Sequence, residues 1–198
     1  MKIAIASYKG GVGKTSLAFS LAKDLQFKYI TNDSSIVPNI YNRAKYMPKK
    51  MRLEDNVVYD FGGFKSPHAS EILKEVDYIL IPTTLDSNSI MKTVEIYKEY
   101  KDKKLFIIAN MIESKKEAEK LLKLIKTYMP NIEIFFMRRA KLLKNSLESG
   151  LSASELVGAN GKNKYIYRKA YKDYKQILDT FKKGHSEING LKLNGDIY

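Results

Sequence analysis

"SYKGGVGKTS", residues 7–16, decides the fold. Gly10, Gly11 and Gly13 crowd into four positions, with Val12 between them, and Lys14, Thr15 and Ser16 follow at once. Glycines spaced this way let successive backbone N–H groups turn toward one anion. The lysine beside them reaches the outer phosphates of a nucleotide, and the next hydroxyl can ligate Mg2+. Written from residue 8, the stretch fits the phosphate-loop pattern G-x-x-x-x-G-K-[ST] except at its first position, where Tyr8 replaces glycine. A second lysine, Lys9, lies in the same loop, although a single phosphate site needs only one.

The flanks agree with this reading. "KIAIAS" at residues 2–7 is a short apolar run with β character, and residues 14–26 place Leu17, Leu21 and Leu25 at helical spacing. The loop therefore joins a strand to a helix whose positive end faces the bound anion. Further apolar runs follow at "KYIT", "NVVYDF", "DYILIP", "KLFIIAN" and "IEIFFM". They alternate with helical patterns near residues 67–75, 87–100, 114–128 and 139–148. A last helix is expected over residues 163–183, with Ile166, Ala170, Tyr174, Ile177, Leu178 and Phe181 forming the stripe that packs on the sheet. Alternating strands and helices predict an α/β fold, a mostly parallel sheet with helices on both faces. One domain is expected over residues 1–184, followed by a loosely docked tail at residues 185–198.

Composition narrows the chemistry. The 198 residues contain no cysteine, which removes disulfides, thiol catalysis and cysteine-ligated zinc, and only His68 and His185 could offer imidazole to a metal. The opening apolar run is too short for a signal peptide and the longest runs are far below membrane-spanning length, so a cytoplasmic location is expected. Thirty-five basic against 22 acidic side chains give a net charge of +13. That excess suggests a polyanionic partner, although a coding bias toward Lys, Ile, Asn and Tyr would also produce it.

The segment K-G-G-x-G-K-T, Lys9 to Thr15, resembles the deviant phosphate loop of the ParA/MinD ATPases, P-loop NTPases of the SIMIBI type that position DNA, division proteins and other cargo. The resemblance implies ATP and Mg2+ as cofactors and a homodimer formed on ATP binding. Lys9 would reach across the dimer to the partner's nucleotide; the alternative is a solvated loop charge. In the family a D-x-D-P-Q stretch ends the second strand, and its second aspartate orients the attacking water. Asp33 occupies that place, but Thr31, Ser34 and Ser35 depart from the pattern, and a strand-end cap is the competing role. Asp60, delivered by "NVVYDFGG", would hold Mg2+ through a water, and Gly63 would sense the γ-phosphate, although Phe61 and Gly62 depart from the family's D-T-P-P. Asn110 would read the adenine edge, or simply form a turn. Catalysis is thus expected of Lys9, Lys14 and Asp33, and nucleotide contact of residues 10–16, Gly63 and Asn110.

Residues 138–183 hold twelve basic and four acidic side chains. Arg138, Arg139, Lys141 and Lys144 are expected to cluster at the start of one helix, and Arg168, Lys169 and Lys172 on the polar side of the last. In the ParA branch a similar basic surface binds DNA without sequence preference, through phosphate contacts that carry affinity and no base code. The alternative is a set of solvated lysines. The leading expectation is a partition ATPase, nucleoid-associated, with slow hydrolysis stimulated by a small DNA-binding partner protein. A related ATPase for conjugation or protein-cargo positioning, and a membrane-surface switch of the MinD kind, are the alternatives; the glycine-broken tail makes a poor membrane anchor.

Overall fold

The computed structural model describes residues 1–48, 53–62 and 67–183. Seven strands form one parallel sheet in the order β3-β2-β4-β1-β5-β6-β7. They are β1 (Lys2–Ile5), β2 (Lys28–Thr31), β3 (Ala44–Tyr46), β4 (Val57–Asp60), β5 (Tyr78–Thr83), β6 (Lys104–Ile112) and β7 (Glu133–Arg138). Eight helices accompany them among the described residues: α1 (Lys14–Asp24), α2 (Val37–Ile40), α3 (Pro67–Glu75), α4 (Ser87–Glu99), α5 (Lys115–Tyr128), α6 (Leu142–Ser149), α7 (Ala153–Gly158) and α8 (Gly161–Lys183).

Strand alternation sorts the core into two layers. Ile3 and Ile5 join Tyr29, Val58, Leu80 and Phe106 beneath α1 and α8, whereas Ala4, Ile30, Tyr59, Ile79 and Ile107 pack under α3, α4 and α5. Because both faces are covered, the strands read as near-continuous apolar runs. β1 lies between β4 and β5; the chain leaves β1 for β2 on one side of it and later crosses from β4 to β5 on the other. Such a switch point opens a crevice at the carboxyl ends of the strands, and residues 6–13 run into it.

All six strands expected from the sequence form, and β3 is an addition. It is a three-residue edge strand paired to β2, preceded by the single-turn α2; both are too short to show periodicity. α7 was also unforeseen, although Ser152 and Glu155 form a reciprocal capping box at its start. Two expectations need correction. Ile166 lies outside the packed stripe of α8, 56% exposed beside Tyr165 at 81%, because the face that meets the core runs from Tyr167 and Ala170 through Tyr174 to Phe181 and leaves Ile166 to one side. The basic cluster does not begin a helix either: Arg138 ends β7, Lys141 caps α6, and only Lys144 lies within it. The expected tail at residues 185–198, with His185, lies outside the described residues, as does Gly63. No helix among the described residues is long and apolar enough to cross a membrane.

Candidate functional site

The loop between β1 and α1 turns on two glycines with positive φ, Gly11 at 76° and Gly13 at 89°. At Gly13 a β-carbon would fall 2.5 Å from Asn110 Nδ2, so position and contact together require glycine. Gly13 also caps α1, and its carbonyl accepts from the Leu17 amide at 3.2 Å. Gly10 and Gly11 have open space around them, Val12 is buried, and the Ser16 hydroxyl donates back to the Gly13 carbonyl at 3.3 Å.

Lys14, at the first turn of α1, is only 8% exposed, and its ammonium donates to the Lys9 carbonyl at 2.9 Å. Burial lowers its pKa, opposed by the charges of Asp60 and Asp33. Asp60 ends β4 at 1% exposure. Burial raises its carboxyl to about 6, while the Tyr29 hydroxyl, the nearby Thr15 hydroxyl and Lys14 pull it down and Asp33 pushes it further up. These opposing effects place Lys14, Thr15, Asp33 and Asp60 in one local field at the ends of β1, β2 and β4. The Asp33 carboxylate accepts from the Ser34 amide at 2.8 Å, and its own amide donates to Thr31 Oγ1 at 3.1 Å. Thr31, where the family pattern has an aspartate, thus braces the loop that carries Asp33.

The residues fit a magnesium–nucleotide complex. Asp60 Oδ1 is buried with no hydrogen-bond partner among the described residues, an orphaned acceptor beside the Thr15 hydroxyl. No cluster of three His, Cys, Asp or Glu side chains suited to a metal occurs among the described residues. A lone carboxylate with a hydroxyl suits Mg2+, which keeps waters and takes further ligands from phosphate.

Lys9 and Asn110 are brought to the same loop with both ends engaged. Lys9 Nζ pairs with Asp86 Oδ1 at 2.8 Å. Asp86 caps α4 by accepting from the Ser89 amide at 2.9 Å, and it also accepts from the Thr84 hydroxyl at 2.5 Å. Together, with Lys9 foremost, these hold its carboxyl down to about 2. Asn110 Nδ2 donates to the Val12 carbonyl at 2.9 Å while its Oδ1 accepts from the Met111 amide. In this arrangement it braces the phosphate loop, and an adenine contact would require it to turn.

Sequence reasoning missed Tyr29, Asn32 and Asp86. The Tyr29 hydroxyl donates to Asp60 Oδ2 at 2.6 Å, and Asn32 Oδ1 accepts from the Gly62 amide at 2.8 Å. Asp86 was findable as a cap, since Asp three residues before Ser89 opens an amphipathic segment. A tyrosine in an apolar strand carries no such signal.

The basic surface divides. Arg138 is turned inward, its guanidinium forked onto Asp173 at 2.6 and 3.0 Å, which removes it from the residues expected to face phosphate. Arg139 pairs with Glu113 at 2.9 Å and Lys144 lies 3.6 Å from Glu148, both pairs well exposed. Lys141, Arg168, Lys169 and Lys172 are exposed.

No protein-family model matches the sequence, and no curated protein matches it. Solved structures do. Apo McdA of Cyanothece superposes with a TM-score of 0.68 at 14% identity, covering 91% of this chain and 98% of that one. A chain of the MinC:MinD cell division protein complex of Aquifex aeolicus gives 0.66 at 15% identity, over 98% and 99%. A Borrelia burgdorferi B31 protein named for plasmid partition, bound to AMPPNP, gives 0.64 at 17% identity, over 92% and 98%. The chain therefore has the fold of the McdA, MinD and partition-protein structures.

Proposed function

We propose that this chain is a Mg2+-dependent ATPase of the ParA/MinD type that dimerises on ATP, binds DNA without sequence preference and acts in plasmid or chromosome partition. The observation that carries the reading is the convergence of Lys14, Thr15, Asp33 and Asp60 on a glycine loop at the sheet's switch point. Backbone amides of residues 10–16 take the phosphates, Lys14 reaches their outer oxygens, and Thr15 with a water on Asp60 would hold Mg2+, which supplies charge neutralisation at the transferred phosphoryl group. Asp33 orients the attacking water, Gly63 senses the γ-phosphate, and Asn110 turns to the adenine. Lys9 exchanges its Asp86 partner for the phosphates of the second subunit, which couples nucleotide occupancy to dimerisation.

The structural neighbours range from a cell division complex to plasmid partition, so the fold is compatible with several cargoes. The exposed lysines of α8 and its one arginine, Arg168, favour DNA, with a small DNA-binding partner protein that stimulates slow hydrolysis. Phosphate release from Mg·ATP tests the enzyme reading: the parent should turn over, and Asp33→Ala should bind ATP with parental affinity while losing most of its turnover. A parent that neither binds nor hydrolyses ATP refutes the function. Unchanged turnover in Asp33→Ala removes Asp33 from the chemistry.

A further inference from the structure

Tyr29 is a polar residue where an aliphatic one would pack. It is fully buried in β2, in the apolar layer beneath α1 that also holds Ile3, Leu17, Phe19 and Val58. A phenol hydroxyl taken out of water is costly unless it is hydrogen-bonded, and this one donates to Asp60 Oδ2 at 2.6 Å. The register explains the reach. Tyr29 pairs laterally with Val58, and Asp60 lies two residues further along β4 on the same face, opposite Thr31. That diagonal is within range of a long aromatic side chain. The Thr31 and Ser35 hydroxyls approach the same phenol, so it stands between the carboxylate of β4 and the loop that carries Asp33.

Resting on the ATPase reading above, we propose that Tyr29 is a positioning residue for the metal end of the site. Its hydroxyl ties down one oxygen of Asp60, so that the other is presented in a fixed direction to a water on a divalent cation. The structure gives both halves of that arrangement: Oδ2 is held, and Oδ1 is buried and unpartnered among the described residues. A carboxylate free to rotate about its terminal bond would present either oxygen over a broad range of angles. Packing immobilises the Tyr29 ring, and a single donor on one oxygen removes that freedom. Residues hydrogen-bonded to a direct ligand commonly contribute about 10–100-fold to metal affinity; because Asp60 would meet the cation through a water, Tyr29 acts one step further out and its contribution lies at the low end of that range.

Nucleotide binding titrated against Mg2+ separates positioning from simple core filling. In Tyr29→Phe the ring and its packing remain. The Mg2+ concentration that half-saturates tightening of the nucleotide complex should rise severalfold, up to about tenfold. Affinity for ATP with excess EDTA and the far-ultraviolet circular dichroism spectrum should stay at parental values. An unchanged Mg2+ midpoint overturns the proposal. If Tyr29→Phe does not fold, Tyr29→Leu, which also lacks the hydroxyl, is titrated in the same way and judged by the same midpoint. Failure of both to fold assigns the residue to the core alone and overturns the proposal too. The two readings fail differently: a parent that neither binds nor hydrolyses Mg·ATP refutes the ATPase assignment, whereas a parent that does so while its Mg2+ midpoint equals that of the variants removes only the role of Tyr29.

Discussion

Replacing Lys14 with methionine should move nucleotide affinity and apo stability in opposite directions. Methionine keeps an unbranched stem of similar length in a site only 8% exposed, and it removes the ammonium. In the nucleotide complex that ammonium makes charge-assisted hydrogen bonds to phosphate, each about 1.5–3 kcal/mol. At 1.4 kcal/mol per factor of ten, affinity for Mg·ATP should fall by roughly 10- to 150-fold. Without nucleotide the balance reverses. Among the described residues the ammonium has one acceptor, the Lys9 carbonyl at 2.9 Å. Burial outweighs the attraction of Asp60 and Asp33, which is why the Lys14 pKa is lowered. A group whose charged form is disfavoured in the folded state stabilises that state when it is neutralised. The apo melting temperature should therefore hold or rise by about 1–3 °C, the shift expected of under about 1 kcal/mol in a chain of this size. Calorimetric titration with Mg·ATP and thermal melts without nucleotide measure both. Affinity within twofold of the parent would refute the phosphate-loop role, and an apo melting point lowered by more than about 3 °C would refute the electrostatic account.

Three further outcomes follow from the charges around the loop, along α8 and between β7 and α8. Asp86→Asn keeps a capping side chain on α4 but removes the charge that holds Lys9. Because the folded pKa of Asp86 is depressed to about 2, its contribution is present above the ordinary carboxylate pKa near 4 and is lost as pH falls through about 2. Urea midpoints measured from pH 5 to pH 2 should fall less steeply in the variant, by about 0.5 kcal/mol after solvent screening; parallel curves would contradict the pair. Alanine at Arg168, Lys169 and Lys172 should weaken DNA binding and reduce the log–log salt slope by about 3 with little loss of stability. Arg138→Ala should instead destabilise the fold by about 1–3 kcal/mol by stranding the half-buried Asp173 and leave the salt slope unchanged. Gel-shift titrations at several salt concentrations, with denaturant melts, distinguish the two.

Much of this architecture was legible because the signals were periodic. Six apolar runs gave six strands and the alternation gave a parallel sheet, since burial on both faces leaves each strand with an unbroken apolar pattern. The glycine loop was legible for a different reason: three glycines in four positions between a strand and a helix mark a tight turn, and Gly11 and Gly13 take positive φ in it. What escaped depended on contacts far apart in sequence. Lys9 meets Asp86 across 77 residues, Arg138 meets Asp173 across 35, and Tyr29 meets Asp60 across 31. The same limit explains Arg138, which read as surface charge until the sheet brought Asp173 beside it. Ile166 erred in the opposite sense: the helical stripe is real, but at that turn of α8 it is Tyr167, one residue on, that packs against the core.

In the proposed mechanism ATP closes two subunits through Lys9. Sedimentation velocity of the parent and of Lys9→Ala, each with ADP and with AMPPNP in the presence of Mg2+, tests it most directly. The account predicts a parent that is monomeric with ADP and dimeric with AMPPNP, and a Lys9→Ala variant that binds both nucleotides yet stays monomeric. A parent that remains monomeric with AMPPNP, or a variant that dimerises as the parent does, would contradict it.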